Sequence, residues 1–433
     1  SQTAKEFLVP PVIYIKNELE ADYRAIESKL PTHEFHAAEG NKQSFELEFA
    51  NIESRDAARD ELTAAGIRFR TGKALVPFRI SGNVEWGVKV PEMEGVDDLT
   101  VWCWPESLWA PVSFSATALE ARGEELSAVR DWWCSPDARV YQFIGQDNLY
   151  FYGVAQPALW MALESGNAEV AYPQPGDLQQ TTLIANHHIL FGKVKASSSG
   201  AVKPPSADQL LEHYTVDQLR AHWLGLGLDV KSVGFKPKPF DPDEAKRNDP
   251  RVADPVLKEG ALLTNVFNRL ARSCFYEAQK NFEGFMPLGA PAADVVARCH
   301  KAMAEYEAIM HKAELHSVMT LMDDFIRWAQ KHWADGIKAA EGADDADMRR
   351  QILVDSFFTL RVATLLMHPV APDGCEKIVE HLGLPAERVF SWNAPFEGMA
   401  ELCDAADVEA CRHAIVELPP RTDFFAKHES QFK

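Results

Sequence analysis

Apolar and polar residues alternate with period two over residues 44–49, as they do in a half-buried strand. Three stretches are predicted strands, at residues 10–15, 44–49 and 67–70. Helical periodicity covers residues 18–30 and 55–65, with Ser54 as the expected N-cap of the second helix and Gly66 at its C′ position. Residues 1–75 are therefore expected to form a small α/β module.

The pattern changes in the middle of the chain. Strands are predicted at residues 100–104, 140–144 and 181–191, and residues 105–114 are irregular and aromatic. The strand 140–144 runs into Gly145-Gln146-Asp147, and an aromatic-rich helix is predicted from Leu149 to Leu163. Open α/β sheets keep their ligands where a strand turns into a helix in this way, close to free N–H groups. Residues 76–205 are expected to form an α/β domain around this turn.

Beyond residue 206 the pattern is helical. Ser206 to Gln209 and Thr215 to Gln218 both fit a capping box, and residues 235–255 form a predicted linker rich in Pro, Asp and Lys. The long amphipathic segments that follow are 256–282, 292–313, 315–340, 346–367 and 374–382. Their short connections predict an antiparallel bundle. We expect stem-contact helices and a linker over residues 206–255, and a helical domain over 256–433.

Composition narrows the class of protein. A chain of 433 residues is long enough for two or three domains. Its net charge of −20, from 64 acidic and 44 basic residues, excludes a generally cationic nucleic-acid-binding surface but not a local basic patch. No apolar run approaches ~20 residues, so no membrane span is expected. Seven scattered cysteines without a C-x-x-C motif predict free thiols in a reducing cytoplasm and no zinc site.

Asp147 is the first candidate for chemistry. A carboxylate accepts hydrogen bonds from two ribose hydroxyls, or pairs with an ammonium group, and the helix behind Asp147 offers free N–H groups. The same residue can equally serve only as the N-cap of that helix. The pattern alone does not decide between the two interpretations.

Aromatic side chains on both sides of this turn form a second candidate. Trp102, Trp109 and Tyr152, together with Trp104, Phe114 and Tyr150, would line an apolar pocket for a side chain. Aromatic residues are more often part of a core, and their spacing alone favours that alternative.

Residues 193–203 hold three lysines, a run of small residues around Gly200 and no acid. Lys193 and Lys195, with backbone N–H groups of the Ser-Ser-Ser-Gly run, would clamp a triphosphate. The alternative is a flexible surface loop.

A last candidate lies on the predicted helices. Asn268 and Arg272 are spaced i, i+4 and so share a helix face, and Trp333 comes from another helix. Together these side chains would grip unpaired bases by hydrogen bonding and stacking. Without further support, a solvated helix face is the favoured alternative.

Taken together, these stretches resemble the methionyl-tRNA synthetase family, in matching order from about residue 76 onward. The most specific match is 141–147 with Pro157-Ala158, which is similar to H-F-I-G-K-D…W-P-A. Further matches are residues 83–91 with R-D-x-x-W-G-x-x-V-P, Val101-Trp102 with V-W-x-D-A-x-x-x-Y, 214–220 with D-x-D-x-L-R, and 368–378 with P-x-x-P…E-K-I. Residues 192–200 fall where the family has its K-M-S-K-S loop.

The resemblance implies an α/β plus all-α fold: the distal half of a Rossmann-type catalytic domain, followed by an antiparallel helical anticodon-binding bundle. It implies ATP with Mg²⁺ as cofactor, and an amino acid of the methionine type and a methionine-type tRNA as partners. The implied site residues are Lys193, Lys195 and Ser198 for catalysis; Gly145, Gln146, Asp147, Asn186 and Gly200 for the cofactor; Trp102, Trp109 and Tyr152 for the substrate pocket; and Asn268, Arg272 and Trp333 for the anticodon.

The chain also departs from the family pattern. The family's H-I-G-H signature and zinc knuckle are missing from these 433 residues, Gln146 stands for a Lys, and Ser198 stands for the second Lys of the signature loop. We therefore expect an N-terminally incomplete ligase that is inactive without an H-I-G-H half, which a separate partner could supply. The alternatives are a catalytically deficient tRNA-binding paralogue and a repurposed ligase that forms aminoacyl adenylates without tRNA.

Overall fold

The structure is a computed structural model. It describes residues 11–40, 42–71, 81–82, 86–91, 99–164, 171–191, 194–196, 203–392 and 398–432. The chain divides into two compact units. The first comprises Ser1–Gln142 and Asp147–Leu183, and the second comprises Phe143–Gln146 and Ile184–Lys433. The boundaries expected at residues 75, 205 and 255 stay predictions.

A four-stranded antiparallel sheet forms the N-terminal part of the first unit. Its strands are Val12–Lys16, His33–His36, Ser44–Phe49 and Phe69–Thr71, in the spatial order second, third, first, fourth. Helices Glu20–Ile26 and Ile52–Ala64 accompany it, the former flanked by 3₁₀ turns at Asn17–Leu19 and Glu27–Lys29. Phe45, Leu47 and Phe49 are buried in its core, which confirms the alternation read from the sequence.

The N-cap prediction for the second helix of this module is wrong. The helix begins at Ile52, and the side chain of Asn51 accepts the capping hydrogen bond from the backbone N–H of Ser54 at 2.8 Å. Asn51 caps as well as Ser does, and the earlier start brings Ile52 onto the buried face. Gly66 lies just past the helix end with φ +73°, as predicted.

The rest of the first unit is more helical than its sequence suggested. The strand expected at 100–104 is reduced to Thr100–Val101, which pairs with Ser81–Gly82. Residues 105–114 are not irregular, because Pro105 and Pro111 occupy the first turns of two helices, where proline is favoured. The helices here are Trp104–Ser107, Ala110–Ala121, Val129–Trp133 and Gln156–Glu164, with 3₁₀ turns Leu126–Ala128 and Gln146–Asn148 and a π turn Phe151–Ala155. The helix expected over 149–163 therefore exists, but its first part has π geometry.

Two strands of the middle region carry the chain between the units. They are Tyr141–Gly145 and Thr182–Asn186, so the strand predicted at 140–144 is shifted by one residue. The strand predicted at 181–191 is broken, because it stops at Asn186 and resumes at Ile189–Phe191. His187 and His188 lie in the break, where the N–H of His187 donates to the carbonyl of Leu228 at 2.7 Å.

A three-stranded sheet begins the second unit. Ile189–Phe191 is its centre, with Val194–Lys195 antiparallel on one side and Val233–Gly234 parallel on the other. Helices Ala207–Leu211 and Val216–Gly225 follow, and both predicted capping boxes are confirmed in full. The linker region contains only the 3₁₀ turn Lys238–Phe240 and the helix Glu244–Asn248 among its described elements.

Long helices fill the remainder of the second unit, close to the predicted segments. Their bounds are Pro255–Ala261, continued by a π turn Leu262–Phe267 and helix Asn268–Asn281, then Ala293–Lys312, His316–Ala343, Ala346–Met367 and Pro372–Leu382. Ala313, Asp344 and Gly383 end three of these helices in the left-handed conformation, which reverses the chain sharply. Among described helices, none combines the length and apolarity needed to cross a bilayer.

Short elements close the fold, and the sequence did not predict them. They are the paired strands Phe285–Pro287 and Arg412–Ala414, the helices Ala386–Val389, Met399–Leu402 and Ala405–Ala410, and the 3₁₀ turn Glu429–Phe432.

Residues 415–432, called here the C-terminal segment, pack against the bundle. Phe424 and Phe425 are buried, and the ring of Phe425 stacks on that of Phe267 at a centroid distance of 4.9 Å. A Cβ at Gly374 would lie 2.2 Å from the Phe425 ring, so this contact requires glycine.

We predict that Gly374→Ala lowers the free energy of unfolding by ~1–3 kcal/mol, because the buried ring cannot move aside. Gly342→Ala is the matched control, since a Cβ there meets nothing within 4 Å and is expected to stabilise the helix by ~0.4–1 kcal/mol. Urea denaturation of both variants checks the prediction. Equal stabilities for the two variants would show that the segment does not pack as described.

Candidate functional site

The turn Gly145-Gln146-Asp147 lies directly after its strand, as predicted. Asp147 is exposed, in a 3₁₀ turn that precedes the helical stretch, whereas Gly145 and Gln146 are half-buried. An acid at this position is accessible to a ligand. Asp147 thus lies between the strand and the helical stretch, as predicted, and its role in binding stays a prediction.

Two buried glutamines support the start of this strand. The amide of Gln142 donates to the Oε1 atom of Gln156 at 2.8 Å and to the hydroxyl of Thr181 at 2.6 Å. Gln156 in turn donates to the carbonyl of Leu108 at 2.9 Å. Buried side-chain amides whose hydrogen bonds are made in this way hold the backbone of the strand in one position. This network was not predicted from the sequence. The one available signal is that Gln142 stands where the matched family motif has its His.

The predicted pocket aromatics divide between two groups. The ring of Trp102 meets that of Trp104 edge-on at 5.9 Å, and Trp104 lies 4.4 Å from Phe151, the neighbour of half-buried Tyr152. Trp109 instead packs at 6.2 Å against buried Trp160, in a cluster that also contains Trp133 and Leu178. The structure therefore brings Trp102 towards the helical stretch of Tyr152 and makes Trp109 part of a core.

The lysine-rich stretch is described only in part. Lys195 is exposed and pairs with Leu190 at the edge of the three-stranded sheet. Lys193, Ser198 and Gly200 lie outside the described residues, as does Asn83 of the first motif. The backbone of Lys195 is thus held in a strand, with its side chain outside the core.

Asn186 lies at a cavity of about 330 Å³ within the second unit. Other lining residues are Arg220, Trp223, Asp229 and His316. The Nδ1 atom of His316 is 2.8 Å from an Asp229 carboxylate oxygen. Arg220 donates to the carbonyls of Pro369 and Val370 at 2.6 and 2.9 Å, so its charge is held at the cavity by backbone oxygens. The cavity combines an amide, a guanidinium and a carboxylate, which suits a polar ligand.

Asp217 is the most perturbed carboxyl of the predicted stem-contact helix. Burial, followed by the charge of Asp373, raises its pKa to about 6, despite a hydrogen bond from the N–H of Gly374 at 3.3 Å. It lies three residues before Arg220, in the stretch that resembles the D-x-D-x-L-R motif. Through this hydrogen bond, the start of the helix Val216–Gly225 contacts the start of the helix Pro372–Leu382.

Asn268 and Arg272 face the C-terminal segment. Asn268 is fully buried; its side chain donates to the carbonyl of Phe425 and accepts from the Phe425 N–H, both at 2.9 Å. Arg272 forms an ion pair with Asp423 at 2.7 Å, with both side chains about one-third exposed. The i, i+4 spacing thus aims both residues at one segment of the chain's own backbone.

Trp333 lies in the main core of the second unit and is only 6% exposed. Its neighbour on the same helix, Trp328, is half-buried and stacks on His332 at 5.7 Å. Of the three residues assigned to the anticodon, Arg272 is the one whose side chain reaches solvent in this structure.

Known proteins identify the class of this chain. The family described as tRNA synthetases class I (M) matches residues 24–240, half of the chain. The chain belongs to this family, which confirms the resemblance found in its motifs. The match begins inside the N-terminal module, well before the first motif, and ends before the helical bundle.

The relatives are of the methionine type. The methionine–tRNA ligase of Methanoculleus marisnigri is 23% identical over 304 residues, which are 70% of this chain and 41% of that protein. That of Thermobifida fusca is 22% identical over 370 residues, 83% of this chain and 56% of that protein. The chain thus spans about half the length of these curated relatives.

Solved structures agree on the fold. Mycobacterium tuberculosis methionyl-tRNA synthetase, bound by methionyl-adenylate, aligns with a TM-score of 0.57 at 21% identity and covers 95% of this chain and 66% of that one. Its free form gives a TM-score of 0.55 at 19% identity. The predicted fold class, α/β followed by all-α, is confirmed.

The raised pKa of Asp217 predicts a pH dependence of stability. The folded-state pKa of about 6 exceeds the unfolded value of ~3.9, so the native state binds more protons, and stability falls as pH rises through this window. The loss is at most ~3 kcal/mol. Asp217→Asn should abolish this slope between pH 4 and 6, as urea denaturation at several pH values would show. Asp208→Asn, at an exposed acid of the preceding helix, should leave it unchanged.

Proposed function

We propose that this chain is the distal part of a methionine-type tRNA ligase, which activates its amino acid as an adenylate and transfers it to tRNA. The family match over residues 24–240 carries the proposal, since it spans the region that contains the turn 145–147 and the signature loop. The H-I-G-H half of the site would come from further polypeptide or from a second chain. Activity is proposed to require it.

The chemistry is one of positioning and charge. The amino-acid carboxylate attacks the α-phosphate of ATP in line, and pyrophosphate leaves. Asp147 would hold the ribose or the amino group, while Lys195 and its neighbours would stabilise the negative charge on the pyrophosphate side. The magnesium ion would come with ATP and be held mainly by its phosphates. Trp102 and Tyr152 would bound the amino-acid side chain.

Two replacements favour a second candidate, a tRNA-binding paralogue with weak or no adenylation. Gln146 and Ser198 are neutral where the family motifs have lysines. Each lost cation removes stabilisation that the transition state needs. A third possibility is adenylation without tRNA, for which Tyr152, where the family motif has a His, would reshape the pocket.

Amino-acid-dependent exchange of pyrophosphate into ATP separates these functions. Ser198→Lys restores the family's second lysine and should raise the exchange rate by ~10²–10³-fold, because a cation returns to the leaving group. Lys195→Ala should lower the rate by a similar factor, and Lys231→Ala, at an exposed lysine outside the loop, should have no effect. The assay uses the 433-residue chain with and without the H-I-G-H half of a family member.

Pyrophosphate exchange that depends on methionine supports the proposed methionine-type ligase. Exchange that depends on another amino acid instead would show that the ligase activates that amino acid. If no standard amino acid supports exchange in the complemented assay, the ligase proposal is wrong.

Binding of tRNA tests the assigned anticodon face. Arg272→Ala should weaken binding of methionine-type tRNA by ~10-fold and reduce its salt dependence, because one contact to the polyanion is lost. Asp423→Ala should strengthen binding or leave it unchanged, since it frees Arg272 from its carboxylate. Arg269→Ala, at an exposed arginine on the same helix, is the control for charge alone. Gel-shift titrations over a range of salt give all three affinities.

Equal losses for Arg269→Ala and Arg272→Ala would contradict a specific role for Arg272. If tRNA binding depends on the anticodon sequence but the chain catalyses no pyrophosphate exchange, the result would support the tRNA-binding paralogue.

A further inference from the structure

Three potential metal ligands converge near the C-terminal end of the second unit. The thiol of Cys403, a carboxylate oxygen of Asp407 and a ring nitrogen of His413 all lie within 4.8 Å of one another. They come from three consecutive elements: the end of helix Met399–Leu402, helix Ala405–Ala410 and strand Arg412–Ala414. All three residues are half-buried, so the cluster is partly shielded from water.

The hydrogen bonds of His413 determine which nitrogen faces the cluster. Its Nε2 atom lies 2.8 Å from the carbonyl of Leu382, an acceptor, so Nε2 carries a proton and donates. The Nδ1 atom lies 2.6 Å from the Asp407 carboxylate. A neutral ring would therefore direct a lone pair at a carboxylate, which is favourable only if a proton or a cation lies between them. A carbonyl that fixes the tautomer of a ligating histidine is also the usual outer-shell arrangement of protein metal sites.

We propose that Cys403, Asp407 and His413 bind one zinc ion, with water as the fourth ligand. Sulfur, nitrogen and oxygen donors of this kind suit Zn²⁺, which is held tetrahedrally at ~2.0–2.3 Å. Two ligands on such an ion are ~3.3–3.8 Å apart. To reach this spacing, Asp407 and His413 must separate by less than ~1 Å, and the thiol, which lies within 4.8 Å of both, must approach them by at most ~1.5 Å.

The charge around the cluster favours a cation. Asp404 and Glu401 join Asp407 near the thiol, and Arg388 is the opposing positive group. Burial, followed by the charge of Asp407, raises the pKa of Cys403 to about 11, and the thiol donates to the carbonyl of Met399.

The ion would join the end of helix Met399–Leu402, helix Ala405–Ala410 and strand Arg412–Ala414 to one another. Strand Arg412–Ala414 pairs only with the short strand Phe285–Pro287 among described strands, and it leads into the C-terminal segment. A zinc ion that joins the two small helices to this strand would hold the entry to that segment.

Zinc and cobalt titrations of the 433-residue chain test the site. We expect one equivalent of Zn²⁺, a higher Tm with zinc, and a Co²⁺ complex with a thiolate charge-transfer band. Cys403→Ser should abolish that band, and Cys403→Ser and His413→Ala should each weaken Zn²⁺ binding by more than the ~10–100-fold typical of an outer-shell partner. Cys411→Ser removes an exposed thiol two residues from His413. It should change neither the Co²⁺ charge-transfer band nor the affinity for Zn²⁺.

A second acidic cluster with histidine, Glu34, His36 and Glu48, is exposed and supplies a further control. If His36→Ala removes the bound ion while Cys403→Ser does not, the assignment is wrong. Binding without a thiolate band, or no binding at all, also overturns it. His413→Ala also removes the hydrogen bond to the Leu382 carbonyl, so Cys403→Ser, which preserves the size of the side chain, is the deciding variant.

Discussion

The helix Ala346–Met367 is buried around its whole circumference from Ile352 onward, and the second unit is built to satisfy it. Five polar residues lie in that buried stretch. Hydroxyls return to the helix's own carbonyls, as Ser356 does to Ile352 at 2.7 Å and Thr364 to Leu360 at 2.8 Å. A buried carboxylate cannot use the helix backbone in this way, because the N–H groups of a helix interior are already bonded to carbonyls.

Asp355 finds one donor in the turn before another helix and one on its own helix, four residues earlier. It accepts from the N–H of Ala292 at 2.8 Å and from the amide of Gln351 at 2.9 Å. Ala292 is the N-cap of the helix Ala293–Lys312, which has no side-chain cap of its own. A negative charge at the N-terminal, positive end of that helix is favourable. One buried acid therefore both gains its hydrogen-bond donors and fixes the start of the helix Ala293–Lys312.

The bundle could be predicted from sequence because its signals are local. Amphipathic periodicity located five helical segments to within a few residues, and two capping boxes were read directly from Ser206 and Thr215. The C-terminal segment could not be predicted. It has no periodicity, and it is held by side chains more than a hundred residues away, such as Asn268 on Phe425 and Gln279 on Leu418. The same limit applies to the zinc cluster, whose ligand spacing matches no standard pattern, and to the pair of Asp229 and His316.

A chain with a net charge of −20 must bind a polyanion locally or not at all. At the face assigned to the anticodon, however, the chain's own C-terminal segment occupies the two polar residues. Asn268 makes hydrogen bonds to Phe425 equivalent to those it would make to a base edge, and Arg272 holds a carboxylate where it would hold a nucleotide. The ion pair is one-third exposed and is therefore weak, so exchanging it for a nucleic-acid contact costs little. The buried amide pair on Asn268 is costly to break. If the proposed tRNA binding uses this face, it should rely on Arg272 first, and on Asn268 only where the segment moves away.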